Sequence, residues 1–141
     1  MKSKIIKAES HEDTGTSFVA IQNKYGKFFG YAFCSPEDME NFSHFAGERY
    51  AEYRAYGEFC KFRLKQEKIK LKAIQNLIKD IEHDVVYDHS IYNPIMRKIN
   101  LKLRDYTQSV SDWENLCDFY SQIVYKQDEI RQDIINRDKK K

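Results

Sequence analysis

Apolar and small residues recur at steps of three and four through most of the chain. The first stripe runs Met39, Phe42, Ala46, Tyr50, Tyr53, Gly57 and Cys60, then Leu64, Leu71, Ile74, Ile78, Ile81 and Val85. Such spacing keeps one face of a 3.6-residue repeat apolar and predicts a single long helix over 35–83. A second stripe, Met96, Ile99, Leu103, Tyr106, Val110, Trp113, Cys117, Tyr120 and Val124, predicts a return helix over 94–135. Ser35 and Pro36 followed by Glu37 and Asp38, and later Asn93 and Pro94, supply cap-and-proline starts for the two helices. A loop over 84–93 is expected between them. Gly47 and Gly57 each disfavour helix by roughly 1 kcal/mol relative to alanine, so they mark a bend or a close helix contact. Thr107 to Ser111 has poor helix propensity, and Ser111 with Glu114 is a second candidate cap. A break near 107–111 is therefore the alternative to a continuous return helix.

The period changes near the N-terminus. Residues 17–34 hold two β-rich runs separated by Asn23, Lys24, Tyr25 and Gly26, the pattern of a β-hairpin. The second run places Phe29, Tyr31 and Phe33 on one face and Phe28, Gly30 and Ala32 on the other. Both faces are apolar or small, so at least one requires a cover. Ser3 to Ala8 is a candidate third strand. The expected fold is α+β and mainly α: one domain over 1–141, with an N-terminal β-hairpin region (1–34) packed on a long antiparallel helical hairpin.

Composition sharpens this picture. The 141 residues suit one core, and 33% charged residues beside 41% apolar ones fit long helices with solvated outer faces. A net charge of +2 is too small to imply a nucleic-acid partner by itself, so any basic site is local. Cys34, Cys60 and Cys117 form no CxxC pair, and reduced thiols in a cytoplasmic setting are expected. No window approaches the roughly 20 apolar residues of a membrane span, so no membrane partner is expected.

With a loop centred near residue 88, an antiparallel pairing joins positions whose numbers sum to about 177. That register sets Cys60 opposite Cys117. It also brings Lys61, Arg63 and Lys65 to Asp118, Glu114 and Asp112, Lys72 to Asp105, Asp80 to Arg97, and Glu37 and Asp38 to the final lysines.

The candidate site lies between Phe42 and Arg63. Here Phe42, Tyr50, Tyr53 and Cys60 share one side of the first helix, while Phe45, Tyr56, Phe59 and Phe62 spread over another. One return helix cannot cover both. Either the β-hairpin packs on the second face, or some aromatics stay open beside arginine as a recognition patch. The partner-binding residues on the second reading are Arg49, Tyr50, Tyr53, Arg54, Tyr56, Phe59, Phe62 and Arg63. Lys61, Arg63, Lys65, Lys68, Lys70 and Lys72 spread around the helix and read as a salt-bridged, solvated face. His83, Asp84, Asp88 and His89, like His44 with Glu48, match no defined metal spacing, and no metal or cofactor is expected. No nucleophile with base and orienter and no phosphate-cradling glycine loop is found, which favours a non-enzymatic protein.

The segment Ala32, Cys34, Pro36, Glu37 and Asp38, read as AxCxPED, with Gly47, Ala51, Arg54 and Ala55, read as GxxxAxxRA, resembles small uncharacterised accessory proteins of phages and prophages from low-GC Gram-positive bacteria. The resemblance spans the stretch from Ala32 to Ala55 and transfers no functional residue. It implies a mobile-element accessory protein in the host cytoplasm that binds host machinery, for instance as an inhibitor of a restriction or CRISPR nuclease. The leading expectation is thus a protein-binding accessory protein. The alternatives are a nucleic-acid or nucleotide-binding module and a self-associating structural protein, for instance a homodimer.

Overall fold

The computed structural model describes residues 2–34, 39–40, 43–84 and 89–139, with side chains described throughout these except at 83–84, 89–92 and 124–139. Strands β1 (Lys4–His11), β2 (Thr16–Asn23) and β3 (Gly26–Phe33) are followed by helices α1 (His44–Asp84) and α2 (His89–Lys139). This is an α+β fold, mainly α, with one strand more than a hairpin. The chain divides into two compact units, one comprising Met1–Cys60 with Leu116–Lys141, the other Lys61–Asn115.

In the first unit the strands form an antiparallel meander in the order β1-β2-β3. The β2–β3 turn is tight, with Asn23 paired to Gly26. The Asn23 side-chain oxygen accepts a 2.8 Å hydrogen bond from the Tyr25 N–H, and Gly26 takes φ +129°, open to glycine but strained for other residues. Between β1 and β2, Gly15 takes φ +67° and its carbonyl accepts from Cys34 N at 2.7 Å, tying the end of β3 to the turn. The inner face of the sheet carries Ser17, Val19 and Ile21 of β2 and Gly30 and Ala32 of β3, all buried.

That inner face meets α1 through small residues on both sides. Ala51 and Ala55 are fully buried, and a Cβ on Gly30 would run into the Ala51 carbonyl and lie 2.5 Å from the Ala55 nitrogen. Phe59, one turn further on, is buried beneath the hairpin, its ring 5.1 Å from Phe28 and 6.0 Å from Tyr25. On another side of α1, Tyr56 stacks on Tyr120 of α2 at 5.8 Å, and a Cβ on Gly57 would lie 3.7 Å from the Tyr120 Cβ. These contacts match the antiparallel register read from the stripes. Gly57 therefore marks a close helix contact, and α1 runs on through both Gly47 and Gly57.

The helix boundaries differ from expectation. α1 starts at His44, where the Ser43 hydroxyl accepts from the Ala46 N–H at 3.2 Å and the Ser43 carbonyl from Gly47 N at 2.9 Å. Ser43 is thus the cap of this helix, and a side-chain oxygen three residues before the N–H it accepts is the usual capping geometry. Ser35 to Asp38, read as the cap from sequence, lie outside the described residues. α2 begins at His89, so Asn93 and Pro94 fall inside it rather than at its start. Pro94 is the sixth residue of α2, past the first turn, so the helix goes without the one i→i−4 hydrogen bond that an N–H at this position would donate. α2 also passes unbroken through 107–111, where the Thr107 hydroxyl bonds back to the Leu103 carbonyl at 2.7 Å and Gln108 bonds Asp112 at 2.9 Å.

The second unit is a helix pair with a polar centre. The Glu67 side chain is 5% exposed, held by Arg63 at 3.1 Å and Lys70 at 3.2 Å on its own helix. The Arg63 guanidinium also lies 5.2 Å from the centre of the Trp113 ring of α2. Val110 of α2 is buried in the same unit. Glu67 occupies the one step, between Leu64 and Leu71, at which the first stripe lacks an apolar residue.

Candidate functional site

The eight residues proposed from sequence divide between the two units. Arg49, Tyr50, Tyr53, Arg54, Tyr56 and Phe59 lie in the first unit, Phe62 and Arg63 in the second. Phe59 is the buried ring beneath the hairpin, and Tyr56 packs on Tyr120; burial, then the Glu52 carboxylate, pushes the Tyr56 phenol up. Tyr50 is half-buried. Arg54 reaches the sheet, its Nη1 donating to the Tyr31 carbonyl at 2.8 Å. Arg63 is bound into the Glu67 cluster. Phe62 is on the exposed side of α1.

What remains open is the start of α1. Arg49 sits over two rings, 5.9 Å from the centre of Phe45 and 5.7 Å from that of Tyr53, and faces Glu52 at 3.8 Å. Phe45 is 75% exposed. A guanidinium over an aromatic face gains modestly from the ring quadrupole and holds the arginine in place while both stay in water. His44 and Glu48, considered as a metal pair, instead meet Ser10 of β1: the Ser10 hydroxyl hydrogen-bonds His44 Nδ1 and lies 3.4 Å from Glu48 Oε1. His83, Asp84, Asp88 and His89 lie outside the described side chains, and among the described residues no group of three or more potential ligands gathers.

Of the six basic residues read as a solvated face, Arg63 and Lys70 hold Glu67, and Lys68 reaches Glu114 of α2 at 3.8 Å. No helix among the described residues is long and apolar enough to cross a membrane.

Sequence reasoning missed a second surface. Phe29, Tyr31 and Phe33 of β3 are 47%, 51% and 72% exposed, and they share the outer face of the sheet with Phe18 of β2. The Phe18 ring is 5.8 Å from Phe29 and 5.1 Å from Tyr31. The signal for this surface was the alternation in β3. Gly30 and Ala32 are small enough to admit the Ala51 and Ala55 side of α1, so the helix covers their face and leaves the large rings outside.

Compared with known proteins, the chain matches no family model, no curated protein and no solved structure.

Proposed function

We propose that this chain is a non-enzymatic binding protein that docks on a protein partner through the start of α1. The observation that carries the reading is the Arg49 guanidinium placed over Phe45 and Tyr53, with Phe45 three-quarters exposed. Arginine and aromatic residues are enriched at the centres of protein interfaces, where a ring supplies area and the guanidinium a directed polar contact. Tyr53 and Arg49 are retained from the residues proposed on sequence grounds. Phe59 serves the core, and Arg54, Tyr56 and Arg63 position neighbouring groups.

The resemblance to phage accessory proteins supports a partner in host defence, with inhibition of a restriction or CRISPR nuclease as the finer reading. The test pairs Phe45→Ala with Arg49→Ala. Each variant keeps the helix signal in circular dichroism but loses the partner that the wild-type chain retains in affinity capture, and loses inhibition of that nuclease in a cleavage assay. A partner retained equally by both variants would place the interface elsewhere.

A further inference from the structure

The outer face of the sheet has an unusual make-up. Ordered across the strands, its first row is Lys4, Gln22 and Lys27, and its second Lys7, Ala20 and Phe29. The third row is Glu9, Phe18 and Tyr31, and the fourth His11, Thr16 and Phe33. Val19 and Ile21 of β2 point inward, and the large aliphatic side chain between the first two rows is Ile6, which the bulge in β1 leaves without a cross-strand partner and 38% exposed. The rings run down β3 and cross to β2 at Phe18. Three lysines against one glutamate occupy the first three rows, and Glu9 also lies 3.2 Å from Lys7 and 3.7 Å from the His11 ring.

A docking face for another protein is expected to join its aromatic residues to arginine and to be poor in lysine. This face is rich in π surface, and the cations in its four rows are lysine with no arginine. Bases stack on aromatic rings whatever their sequence, and lysines along the border attract the phosphate backbone, so ring area next to local positive charge suits a single strand. The rings stand on an open sheet, a surface that unstacked bases can reach and a duplex cannot. We propose that the outer face of the β1–β2–β3 sheet binds single-stranded nucleic acid, stacking bases on Phe29, Tyr31 and Phe18 and holding phosphates at the Lys4 and Lys27 end. This surface is separate from the start of α1, and the inference does not rest on the protein-binding reading.

The experiment is fluorescence anisotropy of the full chain against labelled oligothymidine and oligoadenylate RNA of about 10 nucleotides, a length within the usual span of one such site. Duplex DNA of equal length is the control. Binding to the single strands at low salt is expected, with a weaker response to the duplex. Tyr31→Ala and Phe29→Ala are each expected to weaken binding about tenfold, the effect of losing one stacked base. Tyr31→Phe is expected to preserve it. Lys27→Gln is expected to lower the salt slope of the binding constant by about 0.7, the value for one phosphate contact to a single strand.

Tyr31→Leu separates stacking from apolar docking, because it keeps bulk and strand preference while removing the ring. Loss of binding in Tyr31→Leu supports the proposal even if an alanine variant folds poorly. No single-strand binding at low salt would overturn it, as would binding unchanged in Tyr31→Leu and Phe29→Ala. Loss of a protein partner in Tyr31→Leu with no oligonucleotide bound by the wild type would assign the face to protein instead. Failure of the Phe45 and Arg49 test leaves these outcomes untouched.

Discussion

Arg54 of α1 donates a hydrogen bond from Nη1 to the backbone carbonyl of Tyr31 in β3, at 2.8 Å. β3 is an edge strand, and an edge presents unpaired backbone groups that invite another strand. The helix thus supplies a partner in the middle of that edge. The same bond holds Tyr31 backbone-first while its ring faces outward.

Arg54→Ala is expected to destabilise the first unit by about 1.5 kcal/mol, the lower end of the range for a hydrogen bond to a charged group. Urea unfolding followed by circular dichroism reads this directly. Because the edge is then less protected, the variant is also expected to self-associate at concentrations where the wild type does not, as measured by light scattering. Unchanged stability would mean that the contact is replaced by water without loss.

Two glycines give opposite outcomes under the same substitution. A Cβ on Gly30 meets helix backbone, which cannot move aside as a side chain can, so Gly30→Ala is expected to cost about 3 kcal/mol or more. A Cβ on Gly57 finds an ordinary contact at 3.7 Å from Tyr120 Cβ, so Gly57→Ala is expected to stabilise by up to about 1 kcal/mol through helix propensity. Thermal melts of the two variants check both signs.

The same 3.7 Å separation allows a covalent test of the helix register in the first unit. Disulfides need Cβ atoms about 3.5–4.5 Å apart. Gly57→Cys combined with Tyr120→Cys is expected to cross-link on mild oxidation, and peptide mapping should find the bond between positions 57 and 120. Displacing the second cysteine by one residue, to Ser121, should abolish it.

Glu67 sets an acid dependence in the second unit. Burial pulls its carboxyl up, but hydrogen bonds from Lys70 and Ser109 and the charges of Lys70 and Arg63 outweigh burial and hold it below the ordinary value. A carboxylate lowered on folding contributes stability that is present above its unfolded pKa of about 4.3 and is lost as pH falls through the folded value. Stability is therefore expected to decline below about pH 4, and Glu67→Gln should flatten the decline. Glu67→Leu should remove that pH dependence too, but leave Arg63 charged and poorly matched. Urea midpoints between pH 3 and pH 7 measure each case.

Much of the fold was legible because periodicity reports which side of an element is covered. The apolar positions of the second stripe from Met96 to Tyr120 are half-buried or buried, while most of the residues between them are exposed. The antiparallel register followed from a short connection and two long stripes. Helix starts were less legible, since capping depends on one oxygen reaching one N–H. Ser43 carried no proline or acidic signal, whereas Asn93 and Pro94 imitated a start inside a helix already under way.

The candidate site was legible only in part. The excess of aromatic side chains near Tyr50 to Phe62 was real, and the hairpin covers Phe59 while α2 covers Tyr56. The aromatic face of β3 was misjudged because its exposure depends on which side the helix takes. That choice rests on the small volumes of Gly30, Ala32, Ala51 and Ala55, a relation between residues far apart in the chain. Glu67 was missed because a gap in an apolar stripe reads as a missing contact rather than as a buried charge.

Backbone meets backbone at Gly30, so the spacing between sheet and helix is fixed by main-chain atoms and not by any side chain that mutation can exchange. Its neighbours Phe29 and Tyr31 project the other way. Along this strand, positions that constrain folding alternate with positions that do not, and the outward set is free to vary. A lineage carrying this scaffold can therefore retune what the sheet recognises, one ring at a time, without repacking the interior.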